Sequence, residues 1–385
     1  MDVEVNYFKK LDRKMVRGKV FCADGKFRQG TVILEDNEIV DVDFSLADLN
    51  GGRIVPTKYI LPGLIDIHMH GANGIDGSVA SIDDLVRLDK YEREHGVVSY
   101  LLATMTLPLE QIDDVCQNIA GAMASGEVFG LRGAYIEGPF INKNKCGAQN
   151  SENALIPSEE NADKLISIID KCRRVKCVAL APELGGSGQL IRTLSDKGII
   201  VSIAHTEADY NQAIAGFEAG ASQVTHLYNA MSSFNHRNPG VVGAAFDKSK
   251  YVELIADGYH VNDAVVRSTF AMFGDDRVIL VSDSTMATGL DEGNYWLGDN
   301  EIIVKGNKAV LKDDEKVLAG SASNLFDCMV SAIKMGVDPA KAVKAATINP
   351  AKRLNIDMMY GSIEKGKMPG LIVTNDKWEI EQVIL

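Results

Sequence analysis

Short apolar stretches alternate with amphipathic stretches over most of the chain from Tyr59 onward. The apolar stretches have the length and β-branched content of buried strands, and the segments between them carry apolar residues at helical spacing. Several of these segments begin after Ser, Asp or Asn and end at Gly, as helices commonly do. The pattern predicts eight strands: YILPGLIDIHMH, VVSYLLATMT, LRGAYIEGP, VKCVALAPE, IIVSIAHT, SQVTHLYNA, YVELIADGYH and VILVSDS.

Eight strands that alternate with helices are the number found in a (β/α)8 barrel, so the pattern predicts an α/β TIM barrel. Two alternating strand patterns around an Asp36-Asn37 turn precede the barrel, and the end of the chain returns to short strands. We therefore expect a small β-sandwich domain built from both termini. The expected domains are residues 1–58 plus 359–385 for the small β domain and residues 59–358 for the barrel.

A polar excursion from Gly289 to Lys316 separates the eighth predicted strand from the last helical segments. Two helical segments follow it, SNLFDCMVSAIKMG and DPAKAVKAATINPAKRLN.

The composition is that of an ordinary globular protein: 385 residues, 46% hydrophobic and 24% charged, with a formal net charge of −13. An acidic balance without a basic stripe disfavours nucleic acid or an anionic membrane as a partner. No apolar run reaches the roughly 18 residues of a membrane span, and the first residues lack the apolar segment of a secretion signal. Six scattered cysteines suit reduced thiols, so we expect a cytoplasmic protein.

Ionisable residues that a buried strand does not need follow the ends of the predicted strands. In a parallel barrel these ends share one face, where active sites lie. His68 and His70, two residues apart on one strand, project from the same side. Burying several ionisable groups together is unfavourable unless they pair or bind a metal, so the pattern predicts a metal centre. The residues are His68, His70, Glu137, His205, His226, Asp257, His260 and Asp283.

The chemistry of these residues indicates metal-assisted hydrolysis. Imidazoles and carboxylates suit Zn²⁺, Fe²⁺, Mn²⁺ or Co²⁺, and the ligand types do not choose among these ions. Asp283 is placed to receive a proton from water and pass it to a leaving group, although it could instead cap the next segment. Arg237 follows the sixth strand, where a guanidinium suits a phosphate unless the residue is simply solvated.

Eight segments resemble the N-acetylglucosamine-6-phosphate deacetylase family of the amidohydrolase superfamily, and the resemblance covers nearly the whole chain. HxH is shared by many amidohydrolases, whereas EGPF together with THLYNAM and DGYH is specific to this family. The segments are LPGLIDIHMHG (61–71), YIEGPF (135–140), CGAQN (146–150), IAHT (203–206), THLYNAM (225–231), IADGYH (255–260), VSDS (281–284) and LAGS (318–321).

The resemblance implies roles for individual residues. It makes Asp283 the catalytic acid and base and also a ligand in members with two metals, where Glu137 bridges both ions. Gln149 departs from members that carry His, and Gln can donate a hydrogen bond but cannot be charged. The implied metal ligands are Glu137, His205, His226, His68, His70 and Asp283. The implied substrate contacts are Asn229, Ala230 and Arg237 at the phosphate, and Ala148, Gln149, His260, Leu318, Ala319 and Gly320 elsewhere.

The function that the resemblance implies is hydrolysis of the acetamide of N-acetyl-D-glucosamine 6-phosphate, a sugar phosphate of amino-sugar catabolism, to D-glucosamine 6-phosphate and acetate. It implies one or two divalent ions, with Zn²⁺ first and Fe, Mn or Co as alternatives. It also implies a homodimer in which Arg237 reaches the partner's site.

Three alternatives to this function stay open. The galactosamine epimer differs by one hydroxyl, and the sequence does not decide between the two. Hydrolysis of a cyclic amide is disfavoured, because no Lys ends the fourth strand and Arg237 would have no purpose. A non-catalytic scaffold is disfavoured, because every expected ligand is present together with Asp283.

Overall fold

The computed structural model describes residues 13–36, 38–45, 58–298 and 300–385. The strands are β1 Arg13–Phe21, β2 Phe27–Glu35, β3 Glu38–Asp43, β4 Tyr59–Pro62, β5 Leu64–Met69, β6 Gly71–Ala72, β7 Ile75–Asp76, β8 Val97–Thr104, β9 Leu131–Glu137, β10 Val175–Leu180, β11 Ile200–Ile203, β12 Gln223–Val224, β13 Tyr251–Ile255, β14 Val278–Val281, β15 Gly293–Leu297, β16 Asn300–Lys305, β17 Lys308–Leu311, β18 Leu318–Ser321, β19 Leu371–Thr374 and β20 Ile380–Ile384. The helices are α1 Ile82–Glu94, α2 Leu109–Ser125, α3 Glu159–Cys172, α4 Ser187–Asp196, α5 Tyr210–Ala219, α6 Gly240–Lys248, α7 Asp263–Phe273, α8 Leu325–Lys334, α9 Pro339–Ala346 and α10 Ile348–Arg353.

Eight parallel strands form the barrel, in the order β14-β13-β12-β11-β10-β9-β8-β5. The barrel closes between its first and last strands, where the Asp283 amide donates to the His68 carbonyl at 3.0 Å and the His70 amide donates to the Ser284 carbonyl at 2.8 Å. Every residue of β8 is buried, as expected of a strand covered on both faces. All eight apolar runs form these strands, so the predicted TIM barrel is confirmed.

The helices around the barrel begin and end where local sequence chemistry favours it. Ser81 and Asp84 form a reciprocal capping box at the start of α1, and Gly126 ends α2 with a left-handed φ of 78°. Leu85 and Leu88 of α1 are buried in the core between helix and sheet. Among the described residues, no helix has both the length and the apolar character that a membrane crossing needs.

Strands from both ends of the chain join in one six-stranded sheet, in the order β20-β19-β4-β1-β2-β3. A separate apolar core that includes Val20, Val32, Ile60 and Leu371 stabilises this sheet. The predicted association of the terminal segments is therefore confirmed. The boundary at residue 58 stays a prediction, and β4, just beyond it, pairs within this terminal sheet.

Parts of the predicted small domain lie outside the described residues. These are residues 1–12, Asn37 of the predicted turn, and 46–57.

The expected polar excursion forms three strands, which join β18 just beyond it in a four-stranded antiparallel sheet, β15-β16-β17-β18, which we call the insertion sheet. Ile302 and Val304 alternate with more exposed residues along β16 and pack into an apolar core with Ala309. The period-2 pattern is short and lies among many charged residues, so it is weak in the sequence. The last strand, β18, runs beside the carboxyl end of β14 and borders the mouth of the barrel.

Candidate active site

Three predicted site residues end their strands with unusual backbone angles. His205, His226 and Asp283 have φ values of 43°, 26° and 49°, in the left-handed region that residues with a Cβ rarely adopt. Each of the three lies two positions after the last residue of a barrel strand. Such strained conformations persist where surrounding contacts hold them, and they concentrate at functional sites.

Glu137, His205 and His226 form a compact buried group at the mouth. The Glu137 Oε1 atom lies 3.2 Å from His205 Nε2 and 3.0 Å from His226 Nε2, and these two nitrogens are 3.2 Å apart. Two imidazole nitrogens bound tetrahedrally to one Zn²⁺ lie about 3.3 Å apart. The three residues therefore have the spacing of ligands to one cation, and their ligand atoms all lie within 4.8 Å of one another.

His68, His70 and Asp283 form a second group around the same glutamate. The His70 Nε2 atom lies 3.2 Å from Asp283 Oδ1 and 3.4 Å from Glu137 Oε2. The His68 Nε2 atom lies 3.7 Å from both Glu137 Oε1 and Asp283 Oδ1, and it is buried without a hydrogen-bond partner. A buried ring nitrogen aimed between two carboxylates fits a cation ligand, so the residues present suit a second ion.

The charges of this cluster compensate one another. Burial lowers the pKa of His70, but hydrogen bonds to Asp283 and Glu137 outweigh it and raise the pKa to about 10. Burial raises the pKa of Asp283, but the hydrogen bond from His70 and the charge of His68 lower it to about 2. The same kind of attraction holds the pKa of Glu137 well below its usual value despite burial. A divalent cation would replace the imidazole protons, so its binding releases protons and weakens as the pH falls.

Gln149 is oriented by the backbone so that its amide nitrogen faces the cluster. The Thr106 amide donates to Gln149 Oε1 at 2.7 Å, and Gln149 Nε2 donates to Glu137 Oε2 at 2.5 Å. Because the oxygen is already paired, the nitrogen is the atom that Gln149 offers to the cavity. It is therefore placed to donate a hydrogen bond to a carbonyl oxygen beside the metal ligands.

One cavity of about 240 Å³ collects most of the predicted site residues. His68 lies beneath its wall with 0% exposure, and Ala319 is buried between two lining residues. Asp257 does not reach the metal ligands and instead pairs with His260 Nδ1 at 2.7 Å. The predicted residues that line the cavity are His70, Glu137, Ala148, Gln149, His205, His226, Asn229, Ala230, His260, Asp283, Leu318 and Gly320.

Comparison with known proteins identifies the family. The amidohydrolase family profile matches residues 59–384. The chain belongs to the amidohydrolase family. N-acetylgalactosamine-6-phosphate deacetylase of Escherichia coli O157:H7 is 33% identical over 91% of this chain and 93% of that relative. N-acetylglucosamine-6-phosphate deacetylase of Bacillus subtilis strain 168 is 35% identical over 83% of this chain and 82% of that relative.

A solved structure extends this similarity to the whole fold. The N-acetyl-D-glucosamine-6-phosphate deacetylase mutant from Mycobacterium smegmatis, in complex with N-acetyl-D-glucosamine-6-phosphate, matches this amidohydrolase with a TM-score of 0.88. It is 26% identical, and the match covers 97% of both chains. The resemblance stated from the sequence motifs is confirmed.

Arg237 does not line the cavity of its own chain in this amidohydrolase. It is exposed in a loop beyond the cavity-lining pair Asn229 and Ala230, and its backbone amide donates to Asn235 Oδ1 at 2.9 Å. The role of Arg237 stays a prediction.

Sequence reasoning missed two charged residues of this amidohydrolase site. Glu253 is fully buried and lies 2.9 Å from His68 Nδ1, so it orients a predicted ligand. A carboxylate inside the apolar run YVELIADGYH is the signal that could have identified it. Lys316 lines the cavity from the insertion sheet's last loop, and no sequence signal distinguishes it from its charged neighbours.

Proposed function

We propose that this amidohydrolase hydrolyses the acetamide of N-acetyl-D-glucosamine 6-phosphate, giving D-glucosamine 6-phosphate and acetate. The observation that carries the proposal is one cavity in which Asp283 lies beside two metal-ligand groups that share Glu137. The deacetylases to which the chain is similar support the choice of substrate class.

A metal ion and two side chains would divide the chemistry. Glu137, His205 and His226 would hold a divalent cation, which would lower the pKa of water and polarise the acetamide carbonyl. Asp283 accepts the proton of the attacking water and delivers it to the departing amine nitrogen. Gln149 Nε2 donates to the carbonyl oxygen as negative charge develops there. The wall formed by Asn229, Ala230 and His260 positions the sugar so that its acetamide meets these groups.

The metal proposal is one or two divalent ions, with Zn²⁺ first and Fe, Mn or Co as alternatives. Imidazole and carboxylate ligands support a borderline cation. The sharing of Glu137 between two ligand groups supports room for two ions.

The compartment proposal is the cytoplasm. All six cysteines are free and buried, as suits a reducing environment.

The test of the function is acetate release by protein purified without chelator and analysed for metal. We expect N-acetyl-D-glucosamine 6-phosphate to be hydrolysed with the highest kcat/KM, and unphosphorylated N-acetyl-D-glucosamine to react far more slowly because it lacks the anchoring phosphate. The galactosamine epimer is the second candidate, because a galactosamine-specific deacetylase shares 33% identity with the chain. Faster hydrolysis of the galactosamine epimer would make that epimer the assigned substrate. If metal-loaded protein released no acetate from either sugar phosphate, both candidate functions would be refuted.

The oligomer proposal is a homodimer in which Arg237 binds the phosphate in the partner's cavity. Its support is the position of Arg237, which is exposed and does not line the cavity that holds the metal-ligand groups, while its loop follows the cavity-lining residues Asn229 and Ala230. A guanidinium pairs with a phosphate through two parallel hydrogen bonds, so it supplies both charge and orientation.

Mixed dimers test the shared site. We expect Arg237→Met and Asp283→Asn chains to be nearly inactive alone, but co-expressed in equal amounts to recover about a quarter of wild-type kcat/KM. Half of the dimers are then mixed, and each mixed dimer has one complete site that receives Arg237 from the Asp283→Asn chain. Acetate release by separately tagged chains measures the recovery.

The matched control combines two variants with lesions in the same site, Asp283→Asn with Glu137→Gln, and should recover nothing. If the mixture of Arg237→Met and Asp283→Asn chains also shows only the summed activity of the two variants measured separately, Arg237 does not act across an interface.

A further inference from the structure

A chain of hydrogen bonds runs down the inside of the barrel from the metal ligand His68. His68 Nδ1 donates to Glu253 Oε2 at 2.9 Å, and Gln223 Nε2 donates to Glu253 Oε1 at 2.5 Å. Arg353 Nε then donates to Gln223 Oε1 at 2.7 Å, and Arg353 Nη2 donates to Ser222 Oγ at 2.7 Å. This series of hydrogen bonds therefore connects the cavity with the opposite end of the barrel.

Both carboxylate oxygens of Glu253 accept hydrogen bonds. Besides the two side chains, the His226 backbone amide donates to Glu253 Oε2 at 3.3 Å. His68 and Glu253 both have 0% exposure, so water does not compete for these bonds. A carboxylate that only accepts obliges His68 Nδ1 to carry the proton, which leaves His68 Nε2 with its lone pair toward Glu137 and Asp283.

Arg353 fixes the orientation of the Gln223 side-chain amide, which lies between Arg353 and Glu253. Because its guanidinium only donates, Gln223 must present its oxygen to Arg353 and its nitrogen to Glu253. An amide flip of Gln223 would set two donors against each other in a buried space. Arg353 thus determines the direction of each side-chain hydrogen bond from itself through Gln223 and Glu253 to His68.

We propose that Glu253 is a positioning residue that controls binding of the second cation, at His68, His70 and Asp283, by holding His68 Nε2 toward that position. The proposal rests on the metal centre of the proposed function. The proposal does not concern the ion at Glu137, His205 and His226. The ring nitrogens of His205 and His226 do not contact the Glu253 carboxylate.

The test is Glu253→Gln, which keeps the size of the side chain but replaces one acceptor with a donor. The new amide must then face a donor of either Gln223 or His68, since Arg353 prevents Gln223 from flipping. We expect the affinity for the second ion to fall about 10- to 100-fold and the metal content to drop from two ions per chain to one. Mass spectrometry of the native protein and titration with Co²⁺ measure both without substrate.

The double variant Glu253→Gln with Gln223→Glu separates positioning from charge. The amide introduced at position 253 can then accept from His68 and donate to the carboxylate introduced at position 223. That carboxylate also accepts from Arg353, so every hydrogen bond is restored while the charge moves one residue down the chain. We expect this exchange to restore the second ion. The matched control is Glu92→Gln, another buried glutamate, on α1 and 2% exposed, which lies outside the chain of hydrogen bonds and should keep both ions.

Three outcomes would overturn the proposal: a wild-type protein that binds one ion only, a Glu253→Gln variant with unchanged metal binding, or a double variant that stays at one ion. Thermal unfolding confirms that each variant is folded before its metal is counted. Because the ion count uses no substrate, it stays informative if acetate release fails and the proposed function is rejected.

Discussion

Asp283→Asn lowers kcat by about a thousandfold or more, because Asn cannot take up the proton of the attacking water. The change preserves the site in other respects. Asn has the shape of Asp, retains one oxygen for a metal, and adopts the left-handed conformation of residue 283 with less strain than most residues. The backbone hydrogen bonds of Asp283, which donates to the His68 carbonyl and accepts from the Ser321 amide, survive the substitution.

Kinetics and metal analysis of the same preparation check this prediction. The ion at Glu137, His205 and His226, a group that does not include Asp283, should remain bound while turnover falls. Asp209→Asn is the matched control, since Asp209 caps α5 and Asn caps helices equally well. A variant at position 283 with near wild-type kcat would remove Asp283 from its role as proton carrier.

Glu137→Gln removes both ions and with them all measurable acetate release. Oε1 of Glu137 faces His205 and His226, while Oε2 faces His70, so one carboxylate serves both ligand groups. Gln replaces one of these oxygens with a donor that a cation repels, and it also removes the negative charge that offsets the ion's charge. We expect metal affinity to fall by at least about a hundredfold.

Chelation and metal readdition distinguish this loss from unfolding. Wild-type protein stripped with chelator should regain activity when the ion returns, whereas Glu137→Gln should remain inactive at the same metal concentration. Circular dichroism should show the same fold in both. Recovery of the variant at ordinary metal concentrations would mean that Glu137 is not the shared ligand.

The barrel and the cluster of ionisable residues at its mouth could be predicted because their signals are local. Each strand is an apolar run, and a residue such as His205 or Asp283 departs from that run where the strand ends. Parallel topology then brings together residues that are far apart in the chain. The observed distances between Glu137, His205 and His226 follow from that arrangement.

The residues that sequence reasoning missed depend on information that is not local. Whether Glu253 points into the barrel or toward a helix depends on the register of β13 against its neighbours, which a single strand pattern does not contain. The insertion sheet depends on cross-strand pairing of short segments whose exposed faces are charged.

The last strand of the insertion sheet is hydrogen-bonded to Asp283 at the mouth of the barrel. The Ser321 amide donates to the Asp283 carbonyl at 2.8 Å, and a Cβ built on Gly320 would lie 2.9 Å from that same oxygen. A protein engineer who grafts this loop from a homologue to alter sugar preference would therefore also disturb the backbone of Asp283, the proposed proton carrier. Chimeras should keep Leu318–Ser321 native and vary only the distal hairpins.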